Sequence, residues 1–141
     1  MSRKSAKIAS LIQSLEGGNF DPHYLGFFEC FNQQLFFEAH EVLEELWLAQ
    51  RGQPPDLFYK GLIQLAGAFV HVQKKRRQPA IALLKLAQTN LAQYPALYQS
   101  LDLSAVLKII LDWRAGLERN DEACCNPGQN GWPILVLPDR V

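Results

Sequence analysis

The chain has 141 residues, a length that predicts a single domain over 1–141 with one hydrophobic core and no room for a two-domain enzyme. Hydrophobic residues make up 48% and charged residues 20%. These proportions are typical of a folded protein and exclude a disordered chain. The 14 basic residues balance the 14 acidic ones, so general binding to nucleic acid or to an anionic membrane is not expected.

The composition also predicts a cellular setting. Three cysteines, Cys30, Cys124 and Cys125, are too few for a disulfide framework, so we expect free thiols in a reducing cytoplasm. The N-terminus lacks the uninterrupted apolar region of a signal peptide, and no run approaches the ~20 apolar residues of a membrane span. We therefore expect a cytoplasmic protein that does not enter a membrane.

The balance of apolar residue types predicts helices. Leucine occurs 22 times, whereas the branched residues Val, Ile and Thr together occur 14 times. Side chains without a branch at Cβ, such as leucine, favour helix, and β-branched side chains favour strand. The sequence thus predicts an all-α bundle of five or six helices, with an N-terminal helix over 1–18, a core bundle over 19–120 and an extended apolar C-terminal arm over 121–141.

Glycine and proline mark the predicted helix boundaries, because proline opens helices and glycine ends them. In chain order these marks are Gly17-Gly18 after the first helix, Pro22 at the start of the second, 52–55 between the third and fourth, Pro79 at the start of the fifth, and Pro95 after it. Asp102 and Ser104 are expected to cap a last helix that reaches about Asn120.

The arm contains the apolar run 134–137 between Pro133 and Pro138. The two prolines disfavour helix there, and such side chains are costly to leave in water. We expect the arm to lie across helices, either of its own chain or of a second copy of the protein. A homodimer is the favoured assembly.

The third helix, about 35–50, has an apolar face with His40 and Glu44 one turn apart at its edge. Glu38, Glu41 and Glu45 fall on the opposite side, which is typical of a solvated face, although Glu41 flanks the edge.

The fourth helix, about 57–74, is apolar nearly all round except for one polar stripe of Lys60, Gln64 and His71. The connection before it is short, so the two helices should pack antiparallel, with this stripe against His40 and Glu44.

This predicted cluster allows three interpretations. It could bind a small ligand or a divalent metal, with His40, Glu44 and His71 as metal ligands. It could serve a hydrolase-like enzyme in which His40 and Glu44 exchange protons. It could be a structural or partner-binding network without chemistry. Enzyme activity is therefore left open, and the residues predicted to bind are Glu41, Trp47, Lys60, Gln64 and His71.

Two known metal motifs are excluded by spacing. A zincin needs a second histidine where Glu44 stands, and a di-iron bundle needs glutamates where Phe37 and Ala68 stand. The basic run 74–77 is expected to offset a helix dipole in solvent, with phosphate contact as the alternative.

The segment from Phe37 to Trp47 contains the motif His-Glu-x-Leu-Glu-x-x-Trp, and Gly-Leu-Ile-Gln follows at 61–64. With Phe31-Asn32 and His71, this pattern resembles domain of unknown function family 309. The resemblance covers about residues 27–92. It implies a small all-helical bundle with no established biochemical activity.

Overall fold

The computed structural model describes residues 6–16 and 20–136. Over these ranges the chain forms seven α-helices and a two-stranded antiparallel sheet, which confirms the predicted all-α bundle. The elements are α1 (Ala6–Leu15), α2 (Pro22–Asn32), α3 (Phe36–Ala49), α4 (Asp56–Gln73), α5 (Arg77–Leu91), β1 (Leu97–Tyr98), β2 (Leu101–Asp102), α6 (Leu103–Glu118) and α7 (Glu122–Cys125). No helix in these ranges is long and apolar enough to cross a bilayer.

Helix α4 is the centre of the bundle and packs between α3 and α5. Its buried residues occupy most of its circumference, as the nearly continuous apolar sequence predicts. Gly61 allows α5 to approach closely, because a Cβ atom there would lie 2.8 Å from Cγ of Leu91. The start of α4 contacts the end of α3 through Asp56 and Trp47, so the two helices run antiparallel.

Three aspartates cap helix N-termini. Asp21, Asp102 and Asp121 accept hydrogen bonds from backbone N–H groups in the first turns of α2, α6 and α7. The predicted cap at Asp102 is therefore confirmed, while Ser104 lies inside α6 and donates its hydroxyl to Asp102. The predicted start of the fifth helix at Pro79 is two residues late, because α5 begins at Arg77.

Helices α2, α4 and α6 end in the same kind of turn, and none of these turns contains the glycine that usually marks a helix end. Gln34, Lys75 and Asn120 follow α2, α4 and α6 with φ near +60°, and the next residue bonds back to the last turn. This is the Schellman arrangement, in which glycine is usual because other residues are strained at positive φ. In each case the chain reverses tightly, and the next helix begins after three intervening residues.

The arm lies on its own chain, at least as far as residue 136. The side chain of Asn32 on α2 donates to the carbonyl of Leu135 and accepts from its N–H, both at 2.8 Å. The indole of Trp132 packs against Phe36, Phe69 and Trp113. The arm also contains the short helix α7, which the sequence did not predict. Leu137 and Pro138 lie outside the described residues.

The two glycines of α4 that face α5 make a matched pair of tests. Gly61→Ala should destabilise the protein by about 1 to 2 kcal/mol, because the clash with Leu91 outweighs the better helix propensity of alanine. Gly67→Ala should be neutral or stabilising by up to about 1 kcal/mol, because its Cβ would meet only the flexible end of Leu83, at 3.2 Å. Urea denaturation measures both free energies, and equal effects would contradict this packing.

Two neighbouring residues, one buried and one exposed, test whether the arm contributes to the core. Leu135 is 2% exposed and Val136 is 80% exposed. Leu135→Ala should cost about 2 to 4 kcal/mol of unfolding free energy, whereas Val136→Ala should change it by less than about 0.5 kcal/mol. A Leu135→Ala variant that melts like the wild type would show that the arm does not contribute to the core.

Candidate functional site

A groove over α3, α4 and α5 gathers three of the polar residues singled out in the sequence. Its volume is about 360 Å³. His40 comes from α3, and Gln64 and His71 come from α4. The remaining residues that line it are mostly apolar: Phe37, Ile63, Gly67, Val70 and Leu83. The groove is therefore an apolar surface with three polar side chains at its edges.

His40 lies in the first half of α3 and is one-third exposed. Its Nε2 atom is 3.7 Å from a carboxylate oxygen of Glu44, too long for a hydrogen bond but within the range of an ion pair. Its ring lies against that of Phe37, with centroids 6.0 Å apart and planes 30° apart. Among the residues that the structure describes, the buried Nδ1 atom of His40 has no hydrogen-bond partner. This buried atom is thus left unsatisfied within the described protein, and Nε2 is the ring nitrogen left to face the groove.

His71 lies in the last turn of α4, and its Nδ1 atom likewise has no partner within the described ranges. Partial desolvation, together with the nearby cations Arg76 and Lys74, lowers the pKa of its imidazole below the usual value of 6.5. The neutral imidazole is therefore favoured near pH 7, and it offers one acceptor and one donor nitrogen.

The partner of Gln64 is not the one that the sequence predicted. Its side-chain oxygen accepts a hydrogen bond of 2.8 Å from Asn90 on α5, rather than one from His40 or Glu44 on α3. The stripe on α4 thus faces the seam with α5 as well as α3. No imidazole, amide or charged side chain is buried within the described ranges, so the polar residues do not form the fully enclosed network of the structural interpretation.

Trp47 and Lys60 belong to a different contact, at the connection between α3 and α4. The indole N–H of Trp47 donates to Asp56 at 2.6 Å, and the other carboxylate oxygen accepts from the N–H of Gly52. These bonds hold the pKa of Asp56 below its usual value. The cations of Arg51 and Lys60 lie 5.3 and 5.8 Å from the Trp47 ring. Trp47 therefore joins two helices, away from the groove.

Glu41 and Glu44 do not line the groove, although Glu44 adjoins His40. Within the described ranges, no group of three or more His, Cys, Asp or Glu side chains is arranged to hold a metal ion. The predicted set of His40, Glu44 and His71 is thus not assembled as a metal centre in this structure.

The sequence reasoning missed the third histidine. His23 on α2 lies between two carboxylates, with Nδ1 3.1 Å from Asp21 and Nε2 3.1 Å from Glu45 on α3. Glu45 was expected in solvent on the outer face of its helix, and instead it links α3 to α2. The adjacent Asp21-Pro22-His23 cap was the available signal, but the contact with Glu45 depends on how the helices pack.

The match to known protein families agrees with the resemblance in the motifs. Residues 24–83 match the family model described as Domain of unknown function (DUF309). We call this matched stretch, 60 of the 141 residues, the DUF309 segment. Searches of curated proteins and of solved structures gave no significant match. All eight residues that line the groove fall within the DUF309 segment, with Leu83 as its last residue.

The lowered pKa of His71 predicts a pH effect on stability. Because the folded protein holds this proton less tightly than the unfolded chain does, stability should fall as the pH drops from above 6.5 through the lower pKa of folded His71. His71→Gln should reduce this loss. Thermal melts between about pH 8 and about pH 5 measure it, with His23→Gln as the control for losing a histidine elsewhere. Equal pH dependence in His71→Gln and wild type would contradict the assignment.

Proposed function

We propose that the DUF309 segment binds a small aromatic molecule carrying one hydrogen-bonding group, and that the groove of His40, Gln64 and His71 is its site. One observation carries the proposal: polar side chains from two helices converge on an apolar groove of about 360 Å³. Small-molecule sites have this composition, with apolar walls and a few polar groups that fix orientation.

The walls favour a flat apolar ligand. Phe37 lines the groove and is 55% exposed, although phenylalanine is usually buried. Its ring and the neighbouring His40 ring offer a surface on which an aromatic ligand stacks. Gly67 leaves room above α4, where a side chain would otherwise protrude.

The polar groups favour an uncharged or weakly polar substituent. The Nδ1 atoms of His40 and His71 are enclosed by the protein, so a ligand in the groove would form its hydrogen bonds with the other ring nitrogen, Nε2. The lowered pKa of His71 keeps its ring neutral near pH 7, and a neutral ring pairs with either a donor or an acceptor. A divalent metal or proton-transfer catalysis at His40 and Glu44 has less support, since the ligand set is incomplete and the pair is 3.7 Å apart.

The experiment follows the three imidazoles by NMR during titration with phenol, indole and benzoate, which share an aromatic ring and differ in polar group. We expect saturable shifts at His40 and His71 with phenol and indole at about millimolar concentrations, the range for ligands of this size, and weaker binding of benzoate, whose carboxylate is charged. The His23 resonances should not move, because this ring is held by Asp21 and Glu45 outside the groove. Shifts of equal size at all three rings, or shifts that do not saturate, would contradict the proposal.

Two variants separate binding from folding. His40→Ala should change the unfolding free energy by less than about 1 kcal/mol, because its partly exposed ion pair with Glu44 is weak. It should also weaken binding of the best probe. Gln33→Ala, on the surface after α2, is the matched control and should bind normally. A His40→Ala variant that unfolds would indicate a structural role for this residue.

The homodimer and the cytoplasmic location also stay as proposals. The apolar arm that suggested a dimer buries Leu135 on its own chain, and up to residue 136 its large exposed apolar residues are Ile134 and Val136. Light scattering of the full chain, with a protomer mass of 16.0 kDa, is the measurement that decides between one copy and two.

A further inference from the structure

A second cavity lies where the turn between α4 and α5 meets the end of α6 and the short helix α7. Its volume is about 370 Å³. Three consecutive cations line one side, and polar or thiol side chains from the segment after α6 line the other. The residues are Lys75, Arg76 and Arg77, then Asn120, Cys125 and Asn126, with Val72 and Leu117 as the apolar part.

The charge in this cavity is uncompensated. None of the residues that line it is acidic. Within the described part of the chain, no acidic side chain forms an ion pair with Lys75, Arg76 or Arg77. Arg77 donates one hydrogen bond, of 2.9 Å, to the carbonyl of Leu117, and Lys75 donates one, of 3.4 Å, to the carbonyl of Cys125. Each bond uses one of the several N–H donors of its cation. Three cations thus meet at a concave surface with most of their donors available to a ligand.

The backbone adds to this positive character. Helix α5 begins at the same place, and its N-cap residue Arg76 makes no side-chain capping bond. The N-terminus of a helix of 15 residues bears partial positive charge and unpaired N–H groups.

We propose that this cavity binds a small phosphate monoester, with the phosphate among Lys75, Arg76 and Arg77 and the organic part toward Asn120 and Cys125. A phosphate monoester dianion matches several converging cations better than a single carboxylate does. The volume exceeds that of a phosphate group alone, so there is room for an organic part of sugar size. Nucleic acid fits less well, because the chain has no net charge and only three of its 14 Lys and Arg residues line this cavity.

This site is independent of the proposed groove. Four of its eight residues, from Leu117 to Asn126, lie beyond the DUF309 segment that contains the whole groove. The two proposals can therefore fail separately.

The test uses inorganic phosphate and ribose 5-phosphate as probes, followed by backbone amide NMR of the full chain. We expect saturable shifts at Arg77, Gln78 and Cys125, with tighter binding of ribose 5-phosphate than of inorganic phosphate. Lys75→Gln and Arg76→Gln should each weaken binding at least about threefold, since each removes a charged contact. Glutamine suits position 75 because Gln34 adopts the same positive φ after α2. Lys85→Gln, an exposed residue of α5 that does not line the cavity, is the charge-matched control.

Alkylation of Cys125 by iodoacetamide gives a second measurement. Its thiol lines the cavity, 3.3 Å from the side-chain oxygen of Asn120, whereas Cys30 is buried in the core. Ribose 5-phosphate should slow modification of Cys125 in the wild type and have little effect in Arg76→Gln. The proposal is overturned if the probes do not saturate, if Lys85→Gln weakens binding as much as Arg76→Gln does, or if a single-stranded oligonucleotide binds more tightly than ribose 5-phosphate.

Discussion

The burial of α4 around most of its circumference is the constraint on which the rest of the structure depends. A helix this apolar has to be covered on several sides, and α3 and α5 provide most of that cover. Gly61 brings α5 close enough to do so. The few polar residues of α4 then have to lie at the seams between helices. Gln64 and His71 are found at such a seam, where the cover is incomplete and a groove results.

Periodicity, together with glycine and proline, was enough to predict α1 to α6 but not the short helix α7. It also placed His40, Gln64 and His71 on edges of apolar faces that meet at one groove. It could not identify Asn90 as the partner of Gln64, since that contact depends on how closely α5 approaches α4. The predicted ends of α4 and α6, at about 74 and Asn120, lie within two residues of the observed ones, although no glycine marks them. Gln34, Lys75 and Asn120 adopt the conformation that sequence rules reserve for glycine.

The two cavities differ in origin and in chemistry. The groove lies wholly within the DUF309 segment and is mainly apolar, with neutral His71 at its edge. The other cavity takes half of its lining from the end of α6 and the segment after it, and it is strongly cationic. The polar residues of the groove could be predicted to lie together because they repeat at helical spacing. The cationic cavity was hidden because its two sides are distant in the sequence, and only a basic run and a pair of cysteines hinted at it.

The attachment of the arm to α2 bears on how such a protein evolves. Asn32 lies within the DUF309 segment, and it binds Leu135, far beyond that segment's end. Trp132 covers Phe36 and Phe69, which would otherwise present aromatic rings to water. A gene fragment that encodes only the matched residues would therefore lose part of its own core. The unit that recombination can transfer intact is larger than the stretch in which sequence similarity is recognisable.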